Sequence, residues 1–447
     1  MVDINGLVFN RSLHSTRIDV CDKITFKQRV SSVDAIHRVE LKSGVPKIVL
    51  SKIIYNYKRS IFYLSQKTGI MEKIKGILIS VAILTSMAIP TVAQDHKEPA
   101  TLPIGSKAPD FSLKGIDNKT YTLDSFKDAR ILVVMFSAPH CPTAQAYEER
   151  IKDIQRDYGP KGVQVVMINP NHAPAVCLEE MGYSESGDTF GDMQLRASDQ
   201  GFNFPFLDDG EEQKTALAYG PVATPHAFIF DSQRILRYCG RIDDREKIGT
   251  ATQHDARNAI DALLAGREVP VKETRVFGCS VKWKWKGEYR KQLDKEWATR
   301  PVSFETIAME GIKKLVGNDS QKLRVINFWA TWCGPCIAEF AGLVETYRMY
   351  QARDFELVTV SLDKPGQEAK VKEFLASKQA AFTANYLYGS DDKYALFEAV
   401  DSKWQGNIPY TIIVEPGGKI VHRFPGGLNM LDLRKKIVEH KMIGRYF

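Results

Sequence analysis

The sequence predicts an α/β protein built as two tandem three-layer α/β/α sandwiches, each with a mixed central sheet. Three observations carry this. Apolar strands alternate with helical stretches, and each block closes with a hairpin and a helix, the pattern of a mixed sheet covered on both faces. The same order of elements is written twice. In both blocks a cysteine stands where the first long strand gives way to a helix, and a strand-opening proline follows at a similar interval: 84 residues from Cys141 to Pro225, and 76 from Cys333 to Pro409.

In chain order, residues 1–70 come first, and with 12 Lys+Arg against 5 Asp+Glu they account for the whole formal charge of +7. The remainder is neutral overall, so nothing there argues for a nucleic-acid partner. Met71 then opens "MEKIKGILISVAILTSMAIPTVAQ", where Lys73 and Lys75 precede an apolar run from Ile77 to Ile89 and small residues lead to a cut after Ala93. This reads as a secretory signal at 71–93, too short for a membrane span unless it stays uncleaved as an anchor. Residues 1–70 then read as an upstream extension and not a folded domain. The expected location is periplasmic or otherwise extracytoplasmic, where disulfides are permitted. Of seven cysteines, six remain beyond the signal: Cys141, Cys177, Cys239, Cys279, Cys333 and Cys336.

The first sandwich is expected over 101–275. Its elements are the strand "RILVVMF", a helix from Cys141 to about Tyr158, the strand "GVQVVMIN", a long insertion, the strands "TPHAFIF" and "RILRYCGRI", and a helix ending near Leu264. Residues 276–300, "GCSVKWKWKGEYRKQLDKEW" at their centre, are charged and aromatic and read as a connector, with Trp283 and Trp285 on a solvated edge. The second sandwich is expected over 301–447. Its strand "LRVINFW" runs into the cysteines and a helix to about Tyr350. Then come "FELVTVSLD", a helix near 367–378, "PYTIIVEP", "KIVHRF" and a helix from Leu431.

The chemistry sits in "FWATWCGPC", residues 328–336. A cysteine at a strand-to-helix turn places its sulfur over unpaired backbone N–H groups, where the helix dipole favours thiolate. Cys336, three positions on, lies on the same helical face and can attack a mixed disulfide formed by Cys333. Cys333 is thus the expected nucleophile and Cys336 the resolving thiol, the two forming a redox-active disulfide. Pro335 costs little in the first turn, where its missing N–H has no helical partner. A zinc site would need a further pair of ligands, and the second block has no such pair, so no metal is expected. No Gly-rich phosphate loop, paired-carboxylate site or Ser-His-Asp arrangement is present, and no cofactor is expected.

"NFWATWCGPCIAEF" together with Ile408-Pro409-Tyr410-Thr411 resembles the thioredoxin superfamily, in particular its exported TlpA/ResA-like branch, which includes cytochrome-maturation thiol reductases. The resemblance implies a cis-Pro409 against the cysteines, with Trp332 and Gly334 completing the motif. It also puts Asn327 where thioredoxins carry a buried aspartate, so that Glu339 becomes the candidate for handling protons, or else is a simple first-turn helix carboxylate. Among relatives the Gly-Pro dipeptide accompanies reductants more often than oxidants, so reduction is the preferred direction, which implies protein disulfides as substrates and a membrane thiol reductase as electron donor.

The stretches "GSKAPDFSLKGIDNKTYTLDSF", "AYGPVATPHAFIFD" and "FGCSVKW" resemble the redoxin family (AhpC/TSA-like), the group that contains peroxiredoxins. Peroxidases of that family carry a threonine three residues before the reactive cysteine and a proline four before that; here Ala138 and Val134 stand there. Ala144 replaces the second cysteine, so Cys141 has no local partner. Candidates are Cys177, Cys239, which reads as core, and Cys279, in a connector that can fold back. His140 can favour a Cys141 thiolate, and Pro225 is expected to be cis. The expected function is an exported thiol-disulfide oxidoreductase. Alternatives are a thiol peroxidase at Cys141 recycled by the second domain, through a Cys141–Cys333 mixed disulfide, and a first domain that only holds substrate.

Overall fold

The structure, a computed structural model, describes residues 97–446, so the extension and the signal expected upstream lie outside the described residues. From Glu98 onward the chain lies in one compact unit. Within it are two separate large sheets. The first holds β1 (Ser112–Gly115), β2 (Thr120–Thr122), β3 (Ile131–Phe136), β4 (Val163–Asn169), β5 (Phe206–Asp208), β7 (His226–Phe230) and β8 (Leu236–Gly240), in the order β2-β1-β5-β4-β3-β7-β8. The second holds β10 (Glu305–Ile307), β11 (Leu323–Trp329), β12 (Phe355–Ser361), β13 (Ala384–Tyr388), β14 (Tyr410–Val414) and β15 (Ile420–Pro425), in the order β10-β13-β12-β11-β14-β15.

The cores of these sheets are the same arrangement. Strand β3 pairs parallel with β4 and antiparallel with β7, just as β11 pairs parallel with β12 and antiparallel with β14. Both central strands, ILVVMF and LRVINFW, are buried at every position, because helices cover both faces of each sheet and leave no solvent side for an alternating pattern. Each sheet accordingly has an apolar cluster on either face.

Eight helices matter for placing the sites. In the first sandwich they are α1 (Pro142–Tyr158), α2 (Phe190–Gln200), α3 (Lys214–Tyr219) and α4 (Asp255–Leu264). Helix α5 (Gly287–Ala298) follows in the connector, and α6 (Met309–Gly317), α7 (Gly334–Tyr350) and α8 (Glu368–Ser377) belong to the second. Two further helices, α9 (Lys393–Val400) and α10 (Met430–Val438), complete it.

The connector corrects the sequence reading. Trp283 is only 1% exposed and stacks on Trp285, with ring centroids 5.2 Å apart, within the core of the first sandwich. The alternating lysines suggested solvent, but Lys282 is itself buried against Glu180 at 2.7 Å, and the apolar indole packs beneath. Just before it, β9 (Cys279–Ser280) pairs antiparallel with β6 (Ala223–Thr224). Trp297, on α5, belongs instead to the core of the second sandwich.

The insertion after β4 joins the two sandwiches. Val176, Leu178 and Met181 enter the second core, and Arg348 on α7 pairs with Glu179 at 2.9 Å and Asp294 at 2.7 Å. The Tyr350 hydroxyl donates to the Ser184 carbonyl at 2.7 Å, and Arg445 meets Glu185 at 2.8 Å.

Candidate functional site

Each sandwich places a cysteine at the same point. Cys333 is the residue capping α7: its backbone is extended (φ −91°, ψ 103°), and its sulfur accepts the Cys336 N–H at 3.3 Å. Gly334 and Pro335 occupy the first two helical positions, where missing or unpaired N–H groups cost nothing. Cys333 and Cys336 are joined by a disulfide. Cys333 is 6% exposed and Cys336 fully buried, so the reachable sulfur is the one the sequence names as nucleophile. Trp332 beside it is 64% exposed. Ile408, preceding the cis-Pro409, packs on the apolar cluster that contains both cysteines.

Glu339 does not lie in the first helical turn but in the second, three residues past Cys336 and so on its face. It is buried, with one carboxylate oxygen accepting the Leu428 N–H at 2.9 Å and the other the Asn327 amide at 2.9 Å. Burial pushes its carboxyl above the ordinary value, against the pull of those two donors. Asn327 also donates to Thr411, which follows Pro409 by two residues, at 2.9 Å. An amide where thioredoxins have an acid therefore ties Glu339 to the proline strand. The turn is closed from the other side by Asp363, buried, which accepts the Thr331 N–H at 2.9 Å.

Cys141 repeats the geometry. It caps α1 and accepts the Ala144 N–H at 3.3 Å, and its thiol lies 3.2 Å from the Thr224 carbonyl, next to the cis-Pro225. It is completely buried. The sequence named His140 and offered Cys279 among three candidate partners; the structure shows how each is held. His140 binds Asp188 twice, by its backbone N–H at 2.9 Å and through Nδ1 at 2.6 Å, and Asn171 steadies the same carboxylate at 2.7 Å. Burial lowers the imidazole's proton affinity, and the Asp188 charge more than restores it, so His140 is raised above the usual histidine value. Its Nε2 has no hydrogen-bond partner among the described residues.

Of the three candidate partners it is Cys279 that β9 brings in, packed on Cys141 with its thiol hydrogen-bonding that sulfur. For Cys141, burial raises the pKa, but the Cys279 hydrogen bond, the His140 charge, Thr224 and the Ala144 N–H outweigh it and bring it down to about 6. Cys279 in turn is held well above the ordinary thiol value, mainly by that same bond, and keeps its proton. Cys239 is a core thiol, as expected: its sulfur is 3.2 Å from His226 Nε2, and burial pushes it up to about 12. Ala138, where a peroxidase of this type has threonine, is buried and offers no hydroxyl.

The sequence matches the AhpC/TSA family over residues 104–239 and again over 304–423. The chain belongs to the AhpC/TSA family. Its tandem match makes it a two-sandwich member of the thioredoxin superfamily, as the repeated strand order requires. Among curated proteins, this AhpC/TSA chain is 34% identical to the thiol-disulfide oxidoreductase ResA of Oceanobacillus iheyensis over 24% of its own length and 50% of the relative's. It is 28% identical to the ResA of Bacillus subtilis, over 22% of its length and 49% of the relative's. These matches thus span about half of the curated relatives. Among solved structures, a hypothetical protein of Sinorhizobium meliloti is 34% identical, with 42% of this chain and 97% of that one aligned and a TM-score of 0.37. A putative thiol:disulfide interchange protein DsbE of Chlorobium tepidum is 24% identical, over 37% and 99%, with a TM-score of 0.29.

Proposed function

We propose that the protein is an exported thiol-disulfide oxidoreductase that works as a disulfide reductase through Cys333 and Cys336. The observation that carries the reading is the pair itself: a disulfide across the first turn of α7, with one sulfur reachable and the other buried above Glu339. Reduced Cys333 attacks a protein disulfide and forms a mixed disulfide. Cys336 then attacks the Cys333 sulfur and releases the reduced substrate. Glu339, one turn along, accepts the Cys336 proton as that thiol becomes a nucleophile, and burial, by raising its carboxyl above the ordinary value, makes it a stronger base for that proton than an exposed carboxylate. The ResA relatives and the family membership support thiol-disulfide exchange. Export is supported by the signal-like stretch 71–93, and reduction by the Gly-Pro dipeptide. A reductant outside the cytoplasm draws electrons from a membrane thiol reductase.

The reduction potential of the Cys333/Cys336 couple tests the direction. A value at or below about −270 mV is expected of a reductant, whereas one near about −120 mV would identify an oxidant and overturn the reading.

A further inference from the structure

We propose that Cys141 and Cys279 form a second two-electron dithiol/disulfide couple, in which Cys141 attacks a disulfide and Cys279, delivered by the connector, resolves it. This goes beyond the activity assigned to Cys333 and Cys336 and does not depend on it.

The argument is one of placement. Ala144 fills the position a local resolving cysteine would hold, so any partner must come from elsewhere in the chain. Of the other free thiols among the described residues, Cys239 in β8 is engaged with His226, and Cys177 lies in the insertion, between Val176 and Leu178, which pack into the other sandwich. Cys279 packs on the small cluster formed by Ala138, Cys141 and Ala144. Its position is set by strand register: Thr224 is the partner of Cys279 across β6 and β9, and the carbonyl of that same Thr224 lies 3.2 Å from the Cys141 sulfur. Both cysteines therefore meet at one residue, Cys279 through its backbone and Cys141 through its sulfur.

The connector is built to come this close. Gly278 has φ +146°, and a Cβ there would lie 2.0 Å from the Thr224 oxygen, so only glycine permits the approach. Beyond it the segment is anchored by Lys282, whose N–H donates to Asn171 at 2.8 Å and whose carbonyl accepts from His172 at 2.8 Å, and by buried Trp283. Asn171 is also the residue that steadies Asp188 behind His140. One network thus fixes the connector thiol and the charged pair beside Cys141. Cys141 is the attacking sulfur, because it sits on the helix terminus; it is completely buried beneath the half-buried Cys279, so the connector must move aside to admit a substrate, and Cys279, protonated, returns to resolve the mixed disulfide.

The exchange balances. The Cys141 thiolate attacks one sulfur of a substrate disulfide; the substrate S–S bond breaks, and the first substrate thiolate leaves with the Cys279 proton. The Cys279 thiolate then attacks the Cys141 sulfur and expels the second substrate thiolate, which takes a proton from water. Two electrons pass from the protein to the disulfide, and the reverse exchange with two thiols restores the pair.

The test uses the full chain in graded mixtures of reduced and oxidised glutathione, quenched, alkylated and mapped peptide by peptide. A Cys141–Cys279 peptide is expected to appear with two-electron dependence, at a midpoint of its own, alongside the separately read Cys333–Cys336 peptide. In Cys279→Ser that peptide is lost, and a glutathione adduct on Cys141 replaces it. Cys141 and Cys279 both remaining free at every ratio, or Cys141 pairing with Cys177 or Cys239, would overturn the assignment. Because the unmodified chain gives the first readout, failure of the variant to fold leaves the test intact. Loss of the Cys333–Cys336 peptide alone would sink the reductase reading and not this one.

Discussion

At the scale of single residues, two acids have been moved toward neutrality from opposite sides. Cys141 is brought down to about 6, which makes it mostly thiolate at pH 7, whereas an ordinary thiol near 8.5 is only a few per cent ionised there. The sign follows: reactivity is gained as pH rises through about 6 and is flat above it. Iodoacetamide labelling of Cys141, followed by peptide mapping against pH, should show that midpoint. In Cys279→Ala the midpoint should move up, since the bond that favours the thiolate is gone. Glu339 is displaced the other way, raised by burial, so its neutral form persists to higher pH and its ionised form costs stability. Stability contributed by neutral Glu339 is present at low pH and declines as pH rises through the raised value. Glu339→Gln should slow disulfide reduction by roughly 10²-fold and remove one ionisation from the pH–rate profile. It should not lower the melting temperature at alkaline pH; a profile that keeps its shape would make Glu339 merely structural.

At the scale of elements, α7 serves two purposes at its two ends. Its N-terminus holds the disulfide; its C-terminus holds the neighbouring sandwich through Arg348, which is buried between Glu179 and Asp294. Glu179 is nearly buried too, so removing the guanidinium would strand its charge. Arg348→Ala should cost about 3–5 kcal/mol in denaturant unfolding, far more than an exposed pair would. The Cys333/Cys336 potential, read at the other end of the helix, should not move. The helix was plain in the sequence because Cys-Gly-Pro-Cys starts it and apolar residues sustain it. Its second role was not, since the partners Glu179 and Asp294 lie in an insertion and a connector that carry no periodic pattern.

At the scale of the molecule, the joint between the sandwiches bears on whether they exchange electrons. The Tyr350–Ser184 contact lies at the end of α7 remote from Cys333, about 25 Å along a helix of 17 residues. The ion pairs of Arg348 and Arg445 hold that contact, so the connector is not a free tether that raises one thiol's concentration at the other. In Cys336→Ser, therefore, Cys333 should be recovered joined to other proteins, with no Cys141–Cys333 peptide in non-reducing maps. A prominent intramolecular Cys141–Cys333 peptide would show instead that the sandwiches separate and relay.

The sequence by itself determined what depends on neighbours along the chain. The two cysteine-capped helices, the buried central strands, the prolines at 225 and 409 and the tandem order are all written in short stretches whose periodicity and capping act locally. Only the tertiary structure decided what depends on register between distant segments. It set Asp188 behind His140 across 48 residues and tied Asn327 to Glu339 and Thr411. It also buried Trp283 and laid Cys279 opposite Thr224 beside Cys141. Connector and insertion residues have no repeating face to declare where they go; their place is fixed when β9 finds β6 and their few apolar side chains find a core, a choice made by long-range packing and hydrogen bonding and not by any local preference.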